Sequence, residues 1–333
     1  MKSKKQCIAC PKLYTLFTFI EQMNQSEALK LQNITIAICT RNRIADITKC
    51  IESISRQVEL NCEVEILIVD DGDINKEQLH IFEAILSKIK GMKLSYFKKL
   101  KAGVWLSRVE CVRIAAHEII LYLDDDVELD DPYYISKLLK NYEDDASLAG
   151  VGGIAKGLYS SKLANALGIA TFQMSRSLGK LSKSGLAGSI ANWHKAKSTF
   201  ETEFFHGCNM SFKKSSLKDM KPLNWMENYA VGDDLYMCCY ASQYGRLVID
   251  PGLKIIHHES PQSRDKAENV AKAKVVNHYY FLKMKQAGLL NYGALLWTIV
   301  YSIGKELVKK NKDASVGYLK GMKFLLFAKK ESL

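Results

Sequence analysis

The first half of the sequence predicts an α/β fold around a mostly parallel sheet. Strand-length apolar runs recur near residues 34, 64 and 119, and amphipathic segments of helical length separate them. Each run also ends in hydroxyl or carboxylate side chains. Alternation at this spacing leaves the strands parallel, with helices on both faces.

Each element has its own reason. "NITIAICTRNR" opens with β-branched residues from Ile34 to Ile38, too short and too continuous for an amphipathic helix. It reads as a buried strand that ends at Thr40. Residues 45–57 place Ile47, Ile51, Ile54 and Val58 at helical spacing. "VEILIVDDGD" is a second buried strand, ending in Asp70, Asp71 and Gly72. A helix over 75–89 and the strand "KLSYFK" follow. "AGVWLSRVECVRIAAHE" then has helical period, with Trp105, Val109, Val112 and Ala116 expected on its apolar face. The strand at 119–123 runs straight into Asp124, Asp125 and Asp126.

Ligands of such sheets bind beyond the carboxyl ends of the strands, which puts Thr40, Asp71 and Asp124–Asp126 on one rim. No GxGxxG follows the first strand and no GxxxxGK[ST] is present, which excludes the usual dinucleotide and P-loop sites. A solvated turn capping the next helix accounts for Asp130 and Asp131, just before Pro132. It does not account for three adjacent acids at the end of a buried strand, which repel one another unless a cation lies among them. An EF-hand loop is excluded, because its Gly and its closing Glu are missing. A hard divalent ion, Mg²⁺ or Mn²⁺, carrying a substrate diphosphate fits the pattern.

"ICTRNR", "VDDGD", "LDDDV", "HGCNMSFKK" and "VGDDLYMCCYASQYGRLVIDPGLKIIHH" follow in that order. Together they resemble the motifs of a family 2 glycosyltransferase of the GT-A fold, a group of inverting enzymes that use nucleotide sugars. The resemblance covers residues 33–260 and implies a Rossmann-like sheet with flanking helices and hexosyltransferase-type activity. It implies that Thr40 and Asp71 lie by the nucleotide base, and that Arg108, after Gly103, lies beside the donor. In the DXD-like run, Asp126 is expected to hold the metal, and Asp124 and Asp125 to face ribose, sugar or metal. Gly207 and Asn209 are expected in the acceptor site, on a strand over 206–214. Spacing to Gly245 places Asp234 as the base, with Asp233 in the position of the family's Glu. The metal or diphosphate histidine falls on His257 rather than His258. Tyr240 stands where the family commonly has Arg, and Val109 where it has Asn. The Asp233–Asp234 pair also suits the first turn of a helix, a role compatible with catalysis.

Composition bounds the rest. A chain of 333 residues, 47% hydrophobic, buries one large core or two modest ones. Nine irregularly spaced cysteines suit reduced thiols in a cytosolic protein, and Cys7 and Cys10 form a CxxC with no second ligand pair. Residues 1–32 read as an accessory extension rather than an export signal. The Ser-, Lys- and Gly-rich stretch 176–203 suits either a mobile loop over the donor or a passive insertion. From Lys272 onward there are twelve lysines against three acids, around an uncharged stretch at 287–304. That segment, 261–333, is expected to be helical, basic and apolar, and to lie on anionic membrane through residues such as Leu289, Leu290, Leu295, Leu296, Trp297 and Ile299. A packed C-terminal helix and a short membrane span are the alternatives. No nucleic-acid module is recognisable.

The expected activity is transfer of a sugar from a nucleotide-diphosphate sugar to a hydroxyl, on a glycan or lipid-linked acceptor, at the cytoplasmic face of the membrane. A protein or peptide acceptor is one rival reading. A metal-dependent phosphohydrolase or nucleotidyltransferase is another, and should lack "GCNMSF" and the late Asp–His pair. A non-catalytic sugar-nucleotide binder should lose Asp126, Asp234 or His257.

Overall fold

The computed structural model describes residues 33–226, 230–260 and 266–327. The extension 1–32, with Cys7 and Cys10, lies outside them. Four strands, β1 (Ile34–Thr40), β2 (Val64–Asp70), β3 (Met92–Lys98) and β4 (Ile119–Asp124), make the parallel half of a mixed sheet. The order β3-β2-β1-β4 continues through β8 (Asn209–Lys213), β6 (Leu148–Ala155), β9 (Arg246–His257) and β5 (Val127–Leu129). A two-residue strand, β7 (Phe200–Glu201), pairs with β9. The longest pairings are parallel, and β8 enters antiparallel between β4 and β6.

The apolar runs form the central strands because both faces are covered. Ile34, Ile36 and Ile38 are fully buried on one side of β1, and Ala37 on the other. Helix α1 (Ile44–Ile54) packs Ile47, Cys50, Ile51 and Ile54 into the first of these layers. It stops short of the expected 57, since Gln57 instead bonds the carbonyl of Asp131 and the N–H of Ile135. Helix α2 (Lys76–Leu86) begins at a capping box in which Asn75 and Gln78 satisfy each other's backbone N–H groups. Helix α3 (Val104–Ile114) corrects the expected face. Trp105, Ser107, Arg108 and Cys111 are buried, whereas Val109 and Val112 are only partly covered and Ala116 is exposed. A charged residue therefore lies on the inner face, where periodicity alone would put an apolar one.

Helices α4 (Tyr134–Asp144) and α6 (Asp233–Ala241) complete the sheet's cover, whereas α5 (Lys162–Ala170) buries no residue of its own. The polar stretch 176–203 is tied down by buried hydrogen bonds: Ser189 and Trp193 both donate to the carbonyl of Leu178, and Trp193 stacks on Phe204. The final helices are α7 (Ala267–Met284), α8 (Leu289–Val308) and α9 (Lys312–Phe327). Their own cluster holds Val275, Leu282, Leu295 and Ile299. Leu295 and Ile299 therefore face protein, contrary to the lipid contact expected of them. Trp297 and Thr298 donate to the carbonyls of Ala170 and Thr171, which fixes α8 against the end of α5. Among the described residues no helix is long and apolar enough to cross a membrane.

The turn after β2 rests on one buried carboxylate. Asp70 accepts hydrogen bonds from the N–H groups of Gly72 and Ile74, at 2.6 and 3.1 Å, and from the hydroxyl of Tyr96 at 2.9 Å. Asp70→Ala strands three donors and should destabilise the fold by about 3 kcal/mol, with Asp70→Asn costing less. Urea denaturation measures this, and an unchanged midpoint would refute the role.

Candidate active site

The three consecutive aspartates are treated differently by the fold. β1 and β4 run in register, with Cys39 opposite Asp124, so the residues after Thr40 meet those after Asp124. Thr40 Oγ1 donates to Asp125 Oδ2 at 2.7 Å, and an Arg43 nitrogen donates to Asp125 Oδ1 at 2.9 Å. The same guanidinium nitrogen is 3.7 Å from Asp126 Oδ2. Asp125 is thus turned inward and matched by Arg43. Burial pushes its pKa up to about 6, against the pull of Thr40 and Arg43.

Asp126 points the other way. Its Oδ2 accepts from the Ser260 N–H at 2.8 Å, and its Oδ1 faces His257 Nε2 at 3.1 Å. That Oδ1 is shielded from solvent and has no aligned hydrogen-bond donor. Burial opposes its charge, but His257, the Ser260 N–H and Arg43 together hold its pKa down to about 2. The pairing of β5 with β9 sets Val127 opposite His257 and brings that histidine to the aspartates, while His258 turns to Glu128 at 2.8 Å. One ligand atom each from Asp124, Asp126 and His257 falls within 4.8 Å of the others. Two carboxylates, one of them with an oxygen that no described donor aligns on, and one imidazole fit a divalent cation. His206, Cys208 and His257 form a second such group that shares His257.

Arg108 connects this cluster to the Asp233–Asp234 pair. Its NH1 lies 2.8 Å from Asp233 Oδ2, and its NH2 lies 3.5 Å from Asp124 Oδ1 and donates to the Gly207 carbonyl at 3.1 Å. Burial disfavours the guanidinium charge, and Asp233 and Asp124 more than offset that. Asp233 and Asp234 open α6 behind Gly232, so they also occupy its first turn. Arg108 takes Asp233 and leaves Asp234 beside Gly207, where an added Cβ would sit 3.6 Å from that of Asp234. Burial first, and Asp233 second, raise the pKa of Asp234 to about 7.

The other expected residues have structural partners. Asp71 is 2.8 Å from Lys99 Nζ and accepts from the Gly103 N–H at 2.8 Å. Gly103 can present that N–H because it holds φ at 137°, which a side chain would disfavour. Asn209 is fully buried, accepts from the Tyr134 hydroxyl and donates to the Leu253 carbonyl. Arg43, His206 and Cys208 were not singled out by sequence reasoning. The parallel adjacency of "TRNR" and "LDDD" was the available signal for Arg43. A wide hollow of about 770 Å³ lies near the amino end of β4, lined by His117, Glu118 and Lys214, and contains none of these residues.

A mixed sheet with an acid cluster and an imidazole at the carboxyl ends of its strands, and a second acid pair at a helix start beside them, is the architecture of the GT-A class. The profile of glycosyl transferase family 2 matches residues 35–220, more than half of the chain, and the chain belongs to that family. Asp233, Asp234 and His257 lie beyond the matched segment. No curated protein sequence matches. The solved mannosyltransferase PcManGT from Pyrobaculum calidifontis, in complex with GDP-Man and Mn²⁺, is 14% identical with a TM-score of 0.55. That alignment covers 89% of this chain and 88% of the other, and shows a common fold. TarS residues 1–349 from S. aureus, in complex with UDP-GlcNAc, is 14% identical over 90% of this chain and 76% of that one, with a TM-score of 0.49.

The cluster predicts metal affinity without reference to turnover. Mn²⁺ should bind the purified chain, and Asp126→Asn should weaken binding at least about tenfold while leaving the fold intact. Loss of the free-ion EPR signal measures both. Equal binding by the two proteins would remove Asp126 from the metal site.

Proposed function

We propose that the chain is an inverting glycosyltransferase in which Asp234 is the base and Asp124, Asp126 and His257 hold Mn²⁺ or Mg²⁺. The observation that carries this reading is Arg108, which bridges the metal-type cluster and the acid pair and so places them in one cleft. Family membership supports a nucleotide-sugar donor, and the GDP-Man and Mn²⁺ of the mannosyltransferase with this fold are in keeping with it.

The reaction is one in-line displacement. The acceptor oxygen forms a bond to the anomeric carbon as the bond to the diphosphate oxygen breaks, and the acceptor's proton passes to Asp234. A divalent cation held by Asp124, Asp126 and His257 would supply positive charge to the departing diphosphate. Asp233, matched by Arg108, stays fixed beneath the acceptor while Asp234 remains available for the proton. Arg43 and Thr40 hold Asp125 away from the cation ligands. Asp71, with Lys99, and Arg108 complete the donor side, and Gly207 leaves room for the acceptor.

The acceptor is proposed to be a lipid-linked glycan of surface polysaccharide synthesis, met at the inner face of the cell membrane. Exposed apolar residues of α8 and α9 support this: Leu289 and Leu290 are 90% and 83% exposed, and Trp297, Val308, Leu326 and Phe327 are also open to solvent. Lys309, Lys310, Lys312 and Lys320 stand among them, all exposed. Such a surface suits anionic lipid, each lysine contributing on the order of 1 kcal/mol.

A panel of nucleotide sugars with Mn²⁺ tests the reaction class. Asp234→Asn should bind nucleoside diphosphate normally and lower kcat at least about 100-fold. Only the carboxylate accepts a proton, so kcat/KM should rise with pH through about 7 and then level off. A profile flat between about pH 5 and 9 would place the base elsewhere.

Co-sedimentation with vesicles tests the membrane role. Cutting the chain near Lys272 would strip the cluster that α7, α8 and α9 share, so surface substitutions are the cleaner probe. Leu289→Ser with Leu290→Ser should weaken binding to anionic vesicles, and salt should weaken it further without abolishing it. No binding by the wild-type chain would remove the membrane role.

A further inference from the structure

The space in front of Asp234 has a cationic far end. A cavity of about 360 Å³ runs from Gly232 and Asp234 past Ala164 and Gly168 of α5 to Lys274 and His278 of α7. A second cavity, about 150 Å³, continues from Lys274 and His278 between α7 and α8 towards Lys305 and Glu306. The C-terminal helices thus supply one wall of the space that the proposed base faces.

His278 is 4% exposed. Its Nδ1 lies 2.7 Å from the Lys274 carbonyl, and a carbonyl can only accept, so Nδ1 carries the ring proton. Burial, with the charge of Lys274 second, pushes the ring's pKa down to about 4, which keeps it neutral near pH 7. Nε2 is then a bare lone pair, buried and, among the described residues, without a hydrogen-bond partner. Gly232, at φ 84°, brings its backbone close to the same ring, and an added Cβ would sit 3.6 Å from Cε1.

Lys274 is half-buried in the same wall, and among the described residues no carboxylate lies within ion-pair distance of its ammonium. Burial and Lys305 push its pKa down, against the opposing charge of Glu306. Glu306 itself accepts from Asn311 at 3.1 Å and lies 3.9 Å from Lys309. Among the described residues the ammonium has no ion-pair partner and the acceptor beside it no donor, and both are costly to shield from water. One ligand relieves both if it brings an anionic group and a hydroxyl.

We propose that this cavity binds the acceptor and selects one bearing a phosphoryl or carboxylate group, with that anion on Lys274, one hydroxyl on His278 Nε2 and the reacting hydroxyl at Asp234. This rests on the glycosyltransferase reading for the role of Asp234, but not for the binding itself. The anion belongs at the α7 end, since Asp234 makes the other end acidic. The shared chemistry is a hydroxylated anion, either a polyol phosphate or a uronic acid.

Calorimetric titration of the full chain in EDTA separates the possibilities. The probes are glycerol 3-phosphate against glycerol, and glucuronate against glucose. At least one anion should bind about tenfold or more tightly than its neutral partner, and which pair discriminates names the anion. Lys274→Met should abolish the discrimination and Lys274→Arg should retain it, which separates charge from misfolding. Binding of UDP and GDP with Mn²⁺, measured in parallel, reports on the donor side. Nucleotide binding without anion discrimination in the wild-type chain overturns the pocket and leaves the glycosyltransferase reading standing. Anion discrimination without nucleotide binding supports the pocket and overturns that reading.

Discussion

Five carboxylates, Asp124, Asp125, Asp126, Asp233 and Asp234, converge where β4, β9 and α6 begin or end, and two guanidiniums hold them there. Arg43 neutralises Asp125, and Arg108 reaches Asp124, Asp233 and the Gly207 carbonyl at once. Bringing this much like charge together under partial burial is unfavourable unless each acid is individually matched. The matching is incomplete, and the proposed chemistry falls in its gaps. Asp126 keeps an oxygen with no aligned donor, and Asp234 keeps a carboxylate that Arg108 does not touch. In the proposed reaction a cation answers the first, and an acceptor proton answers the second.

Every other feature of the site follows from delivering side chains to that convergence. The in-register pair β1–β4 brings Thr40 and Arg43 against the aspartates. The β5–β9 pair brings His257 from the far edge of the sheet. Helix α3 buries Arg108 among apolar neighbours, where it is too constrained to follow solvent and so acts as a fixed strut between two acid groups. Helix α7 docks on α6 through the Tyr236 hydroxyl, which donates to the Asn277 carbonyl at 2.6 Å, and through the Asn277 amide, which donates to the Val231 carbonyl at 3.0 Å. The C-terminal helices are therefore in contact with the helix of the proposed base rather than appended behind it.

Much of this was readable from residues alone, for identifiable reasons. Strands β1, β2 and β4 are legible because short, mostly apolar runs rich in β-branched residues, bounded by polar turns, suit buried strands of an α/β sheet. His257 was separated from His258 by the spacing that the resemblance implies, and in the structure His257 turns to Asp126 while its neighbour turns to Glu128. The three aspartates could be located but not distinguished, since only the partner strand decides which one turns inward. Arg108 was placed near the donor, yet its burial was hidden because hydrophobic periodicity scores a buried arginine as an outward one. Lys274 was hidden in the same way. Among twelve lysines of a basic tail it looks like surface, and only the packing of α7 beside α5 turns it towards a cavity. The stretch 176–203 read as loose because several of its buried contacts are made by serines such as Ser189, which composition counts as polar.

The direction of β8 has a consequence for how such a protein diversifies. Because β8 runs against β4, its beginning lies at the same end of the sheet as the aspartates, so His206, Gly207 and Cys208 arrive at the cleft from an excursion that leaves β6 at Ala155 and returns at Asn209. That excursion, with α5 inside it, can lengthen, shorten or change sequence without altering the register of β1, β2, β3 and β4. One half of the cleft is thereby held under the strict geometry of a parallel sheet, while the facing half is free to drift. A lineage built this way can keep its chemistry constant and explore new partners by editing a single insertion.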